Sequence, residues 1–246
     1  MAELQVAILA AGMGTRLGMP GPKPLTPLAD GRSILQQQLD NVRGAFGAGV
    51  RVVVVVGFRP ELVLAAVPDV LFAYNGRYAE TNTSKSLLAA LRASYPGGVL
   101  WLNGDVVFDP ALLAVVAPMI DADQTFVCVD TARVGEEEVT YTLDDAGYID
   151  RLGKGLAGGL GEAIGINYVS AADKPLLVRH LEDCADQDYF ERGLETAIAR
   201  DGLHVVAVDI SGWFAVEVDF VGDLARANAE LTGRSPGRVT AVTGRG

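Results

Sequence analysis

LAAGMGTRLGMPGPKPLTPL, residues 9–28, begins inside a short apolar run, Val6 to Ala10, and turns it into a loop rich in glycine and proline that carries two cations. An apolar run of that length reads as a buried parallel strand, and a glycine-rich turn at its carboxyl end is where open α/β sheets seat ligands. Gly12 and Gly14 can take positive φ and bring consecutive backbone N–H groups against an anion. Arg16 adds a planar fork for phosphate oxygens and Lys23 a point charge. Two familiar phosphate loops do not fit. A Walker loop needs GxxxxGK followed by Ser or Thr, which the chain lacks. The dinucleotide fingerprint needs GxGxxG, whereas Gly12, Gly14 and Gly18 are spaced one residue too far, and Gly57-Phe58-Arg59 stands where an acidic ribose partner belongs. The loop reads as a seat for a polyphosphate of another kind.

Outward from it, short runs rich in Val, Ile and Leu alternate with amphipathic stretches, the pattern of βα units on a mostly parallel sheet. Strands are expected at 52–56, which is five consecutive valines, and at 70–74, 99–105 and 125–130. Helices are expected from Ser33, where Gln36 completes a capping box, through about Arg43, then at 61–66, at 87–93, and from the Asp109-Pro110 cap to about Met119. After Asp130 the string EEEVTYTLDDAGYIDRLGKGL alternates around the turn Asp144 to Gly147, so an antiparallel insertion is expected over about 131–162. GEAIGINYVS returns to the sheet, helices follow at 173–183 and, capped by Asp188 with Glu191, through Ala199. LHVVAVDI and WFAVEVD are two more strands, with a last helix at 223–231. The fold class is therefore α/β, with a Rossmann-like, mostly parallel central sheet flanked by helices and a small antiparallel insertion. The chain is read as one domain over 1–232, followed by a flexible tail at 233–246.

Of 246 residues, 50% are hydrophobic, and 20 basic against 31 acidic residues leave a net charge of −11. With a mean hydropathy of +0.26, disorder is excluded. The negative charge argues against nucleic acid or a membrane surface as partner. Cys128 and Cys184 lie far apart, with no pattern of a disulfide framework or zinc site. The start MAELQVAILAAG has no basic segment and its apolar run breaks at Gly12, so a cytoplasmic location is expected.

Asp105 ends the fourth expected strand, where a carboxylate can hold Mg²⁺ through hard oxygen ligands. Glu217 and Asp219 alternate across Val218, so on a strand they share a face, and two such carboxylates repel unless a cation joins them. Asp109 and Asp209 are weaker ligand candidates, since one caps a helix and the other ends a strand. In NGRYAETNTSKS, residues 75–86, the amides and hydroxyls of Asn82, Thr83, Ser84 and Ser86 suit the mixed donor and acceptor edge of cytosine, although the bare string also reads as a capped loop.

The strings GMGTRL and PKPL resemble the signature GxGTRL followed by PKxL of the sugar-phosphate and MobA-like nucleotidyltransferase superfamily, which has a GT-A-like fold. Within it the chain is most similar to the small cytidylyltransferases acting on phosphocholine, inositol phosphate or phosphonates. The likeness covers nearly the whole chain and includes GFRPEL, NGRYAETNTSKSL, GEAIGINYVS, YFERGL and WFAVEVDFVGDL. It departs at Thr83 and Lys85, where the group's pattern has an asparagine and an aromatic residue.

This resemblance implies nucleotide binding by Leu9, Ala11, Gly12, Gly14 and Thr15 of the loop, and by Asn82, Thr83, Ser84 and Ser86. It implies Arg16 and Lys23 as catalytic cations and Asp105, Glu217 and Asp219 as Mg²⁺ ligands. The implied reaction transfers CMP from CTP to a small phosphorylated or phosphonylated acceptor, with release of pyrophosphate. Lys154 is a candidate for the acceptor's phosphate, and Lys85 and Arg133 for an additional carboxylate on it. The resemblance also implies a homodimer. Two rival readings share the loop: a sugar-1-phosphate nucleotidyltransferase using UTP or dTTP, and a non-catalytic nucleotide-binding module.

Overall fold

The computed structural model describes residues 4–132 and 138–233, with only the backbone of Thr15. The first strand, β1 (Gln5–Ala10), lies at the centre of a sheet between β2 (Arg51–Val56) and β4 (Val99–Asn103), parallel to both. Beyond β2 lies β3 (Leu71–Tyr74), again parallel. On the other side, β9 (Glu162–Val169) runs antiparallel to β4 and to β6 (Phe126–Asp130), and β10 (Val206–Asp209) is parallel to β6. The order is thus β10-β6-β9-β4-β1-β2-β3. The expected mostly parallel sheet is present, with one reversed strand inside it.

The valines of β2 are buried on both faces. Val52, Val54 and Val56 pack with Ile8, Leu100 and Leu102 against Leu35, Leu39 and Val42 of α1 (Ile34–Phe46), and against α4 (Leu112–Asp121) and α2 (Pro60–Ala66). Val53 and Val55 face the opposite layer, made by α3 (Thr83–Ala93), α5 (Lys174–Asp183) and α6 (Phe190–Asp201). Such two-sided burial excludes the polar alternation of a half-exposed strand. The α1 capping box forms as expected: Ser33 Oγ accepts from Gln36 N–H while Gln36 Oε1 accepts from Ser33 N–H.

A smaller sheet was legible only in part, since a strand was expected in WFAVEVD but not in its partner at 106–108. Here β5 (Val106–Phe108) pairs antiparallel with β11 (Ala215–Glu217), and both pack under α7 (Val221–Gly233) through Val107, Val216, Val218 and Ala227. The expected antiparallel insertion holds the hairpin β7 (Val139–Leu143) and β8 (Ile149–Lys154), with Thr140 bridging to Glu162 of β9. Arg133 and residues 234–246 of the expected tail lie outside the described residues. Among the described residues no helix is long and apolar enough to cross a membrane.

Three helix starts differ from expectation. The segment Thr83 to Ser86 is the first turn of α3, not loop, because Asn82 caps it by accepting from Thr83 N–H at 2.9 Å. Asp109 does not cap α4 at Pro110; its carboxylate accepts from Ala111 N–H, and the helix starts at Leu112. Asp188 turns back to Ala185 N–H, and it is Thr83 Oγ1 that receives Phe190 N–H at the start of α6.

Candidate active site

The loop after β1 is shaped by Gly14, whose φ is +60° and whose absent Cβ would lie 2.5 Å from Lys23 Cβ. No other residue lets the backbone pass so close to Lys23. The loop includes two short 3₁₀ turns, Thr15–Leu17 and Lys23–Leu25, and is anchored by Leu17 in the cluster under α7. Lys23 is buried, and its Nζ lies 2.7 Å from Asp105 Oδ2 and 2.6 Å from Asp219 Oδ1. Arg16, largely exposed, reaches the other oxygen of Asp219 at 3.2 Å. Burial alone would lower the pKa of Lys23, but the two carboxylates outweigh it and hold the ammonium above its usual value. Burial likewise works to raise Asp219, yet Lys23, then Arg16 and Lys154, hold it below the carboxylate range.

Asp105 sits on the turn between β4 and β5. Gly104 N–H donates to the Leu9 carbonyl at 3.0 Å, and a Cβ on Gly104 would stand 2.5 Å from that oxygen, so the turn rests directly on β1. From α1, Gln38 Nε2 donates to the carbonyls of Asn103 and Val106 at 2.8 Å each, clamping both ends of the turn. Val218 N–H donates to the Asp105 carbonyl at 2.9 Å, which ties the end of β11 to the same turn. Asp105 Oδ1 is buried without a hydrogen-bond partner.

Glu217 and Asp219 do not act as an equivalent pair. β11 ends at Glu217, whose Oε1 accepts from Asn103 Nδ2 at 3.0 Å, while Asp219 lies beyond the strand and turns to Lys23. Burial, with the charge of Asp105 second, pushes Glu217 up to about 8. The cation that joins Asp105 and Asp219 is Lys23 itself. Among the described residues no group of three His, Cys, Asp or Glu side chains converges at metal-binding spacing.

These groups open into one cleft of about 330 Å³. From the loop it is lined by Leu9, Gly12, Gly14, Arg16 and Lys23, and from the acidic side by Asp105, Glu217 and Asp219. Asn82 and Thr83 contribute from the start of α3, Lys154 from β8, and Tyr189, Phe190 and Glu191 from the start of α6. Lys154 Nζ stands 5.5 Å from the Tyr189 ring centre. Burial pushes Glu191 up to about 7, against its own backbone N–H and the charge of Lys154.

Four expected binding residues lie elsewhere. Ala11 is buried beneath the loop, with its carbonyl receiving Phe58 N–H. Ser84 is buried in the first turn of α3, and Ser86 Oγ receives Asn75 Nδ2 at 3.1 Å. Lys85 does not reach the cleft; its Nζ donates to the carbonyls of Leu181, Glu182 and Cys184 at the end of α5. Those carbonyls have no helical partner of their own, which makes that end a natural seat for a cation. Asn103, Tyr189, Phe190 and Glu191 also line the site, and none of them was assigned to it from sequence, although YFERGL, which holds the last three, is among the resembling strings.

Residues 6–152 match the MobA-like NTP transferase domain. A CMP-5'-(3-aminopropyl)phosphonate synthase of Streptomyces rubellomurinus is 32% identical over 250 residues, covering 92% of this chain and 38% of that protein. The bifunctional protein GlmU of Burkholderia lata is 36% identical over 159 residues, covering 63% of this chain and 32% of that protein. The chain thus spans about a third of the length of these relatives. Two solved structures share the fold. The CTP:phosphocholine cytidylyltransferase LicC of Streptococcus pneumoniae has a TM-score of 0.72 at 18% identity, over 93% of this chain and 99% of that one. The inositol-1-phosphate CTP transferase of T. maritima has a TM-score of 0.75 at 18% identity, over 94% and 97%. The chain belongs to the MobA-like NTP transferase family of nucleotidyltransferases.

Proposed function

We infer that the chain is a Mg²⁺-dependent cytidylyltransferase that transfers CMP from CTP to a small phosphorylated or phosphonylated acceptor. The observation that carries this reading is the meeting of the glycine loop with Lys23, Asp105 and Asp219 in one cleft. The likeness to a phosphonate CMP-transferring relative over 92% of the chain supports the choice of nucleotide and acceptor class.

An acceptor oxygen already ionised at neutral pH attacks the α-phosphorus of CTP. A new acceptor O–P bond forms as the bond from Pα to the bridging oxygen breaks, and that oxygen leaves with its electron pair as pyrophosphate. No general base is needed, so positioning and charge stabilisation supply the catalysis. Gly12 and Gly14 leave the backbone open to the triphosphate. Arg16 and Lys23 offset charge on the α-phosphate and on the departing pyrophosphate. Asn82 and Thr83 face the nucleoside, and Lys154 faces the acceptor's anionic group.

The donor chemistry fits Mg²⁺: Asp105, Glu217 and Asp219 offer hard oxygen donors and Asp105 Oδ1 is buried with no partner, although the three are spaced around Lys23 and would have to draw together to hold the ion. Bound by them, the ion supplies charge neutralisation between two anions that must approach each other.

Pyrophosphate release, measured with each NTP against phosphocholine, 2-aminoethylphosphonate, inositol phosphate, phosphonoformate and glucose 1-phosphate, with Mg²⁺ or EDTA, tests the reading. Turnover with CTP and a phosphonate or phosphocholine, lost in EDTA, is the expected result. Turnover with UTP and the sugar phosphate but not CTP overturns the choice of reaction, and none with any pair leaves a nucleotide-binding module.

A further inference from the structure

We propose that Glu191 selects the charge of the acceptor, so that the cleft takes a short zwitterion with its phosphonyl or phosphoryl group at Lys154 and a primary ammonium at Glu191. The inference rests on the cytidylyltransferase reading and deepens it.

Glu191 stands in the first turn of α6, where a glutamate ordinarily remains solvated and merely favours the helix dipole. Here the side chain turns inward and lines the cleft, and its Oε2 is buried without a hydrogen bond. The carboxylate is supported by its own backbone N–H and by the charge of Lys154, and its own charge in turn opposes ionisation of Glu217. A buried carboxylate with an open oxygen is costly unless a cation meets it.

Lys154 does not fill that role at contact distance. Its Nζ lies over the Tyr189 ring, where its field also reaches Asp219. It is thus placed for an anion arriving beside the nucleotide. Glu138 also lines the cleft, so an acceptor tail beyond its phosphonate meets carboxylates. Lys85, which would have favoured a carboxylate on that tail, is spent on the end of α5.

The aromatic side chains favour a primary over a quaternary ammonium. Of the three rings that line the cleft, Tyr189 is shared with Lys154 and Phe190 is buried edge-on to Trp101 at 5.6 Å, which leaves Phe220 as a single exposed and uncommitted ring where a cage needs several. A primary ammonium instead brings hydrogen atoms to the open carboxylate oxygen.

The test compares kcat/KM with CTP for three acceptors of similar size: 3-aminopropylphosphonate, butylphosphonate and 3-phosphonopropionate. For the native protein the amino acceptor is expected to exceed the alkyl one on the order of 100-fold, with the acidic one poorest. In Glu191→Gln the ratio of amino to alkyl acceptor is expected to fall to about one, the change lying mainly in KM. Glu191→Asp, which keeps the charge, is expected to retain part of the preference. Equal native rates with amino and alkyl acceptors, a preference for the acidic acceptor, or an unchanged ratio in Glu191→Gln overturns the assignment while leaving the cytidylyltransferase reading intact. The native comparison holds even where a variant fails to fold. Absence of turnover with all three and with the wider acceptor set overturns both.

Discussion

Lys23 and Asp219 lie 196 positions apart in the chain and 2.6 Å apart in space. The contact closes the glycine loop onto the segment after β11, and Asp105 joins it from a third element at 2.7 Å. One ammonium therefore holds three distant pieces of chain at the place where charge must be managed during phosphoryl chemistry.

Lys23→Met removes that ammonium and leaves two partly buried carboxylates facing each other. Because both retain some solvent, the loss of stability is expected to be about 2 kcal/mol rather than the larger value of a fully buried pair. In a chain of this size that is a fall of ~5 °C in Tm by differential scanning fluorimetry. Turnover is expected to fall by about 100- to 1,000-fold. Unchanged turnover would remove Lys23 from the chemistry.

The pH dependence of stability follows from two groups of opposite sign. Glu217, raised from 4.5 to about 8 by burial and then by Asp105, contributes stability that is full below the unfolded value and lost as pH rises through the folded one. Asp219, held below 3.8 against its burial by Lys23, contributes stability present above 3.8 and lost as pH falls through its folded value. In EDTA, Tm is thus expected to decline from about pH 5 to pH 8, with Glu191 adding to the slope through its rise to about 7. Glu217→Gln should flatten most of that decline. A flat native profile would contradict it.

Lys85→Ala is expected to be a stability variant. Its three bonds to the carbonyls of Leu181, Glu182 and Cys184 hold the end of α5, and their loss costs about 1–2 kcal/mol, read as a lower midpoint in urea. The ratio of rates with amino, alkyl and acidic phosphonates should not move. A selective loss with the acidic acceptor would return Lys85 to the cleft.

The architecture was readable where its cause is local. Five valines at 52–56 announce burial on both faces, and the Ser33–Gln36 box marks the start of α1 from four residues alone. What was not readable is decided across the chain. α3 begins at Thr83 because the backbone around Asn82 is held by the carbonyls of Asp186 and Asp188, about a hundred residues away. β5 is a three-residue strand that exists only as the partner of β11, which the string WFAVEVD announces without it. Lys85 resembles any cation in a polar string until α5 is placed beside it. The loop residues Arg16 and Lys23 and the carboxylates of the site were visible as chemistry, but the contact of Lys23 with both Asp105 and Asp219 required coordinates.

Gln38→Leu tests the clamp on the turn that carries Asp105. The substitution leaves the carbonyls of Asn103 and Val106 without their 2.8 Å donor, at a cost of about 2 kcal/mol. Since Gln38 does not line the cleft, the expected signature is a kcat lowered about tenfold, with a higher Mg²⁺ requirement and little change in the KM for CTP. An increase confined to the KM for CTP would mean that the clamp does not act through Asp105.

The reversal of β9 has an evolutionary consequence. Asp130, the last residue of β6, pairs with Glu162, the first of β9, so the chain leaves the sheet and re-enters it at neighbouring positions on one edge. The segment between them carries the hairpin of β7 and β8 and, with it, Lys154 at the cleft, held to the core by Tyr141, Ile149 and Leu152 and to β9 at Thr140. Changes at its exposed turn, Asp144 to Gly147, can therefore accumulate without disturbing the pairing of β6 with β9 or the nucleotide site.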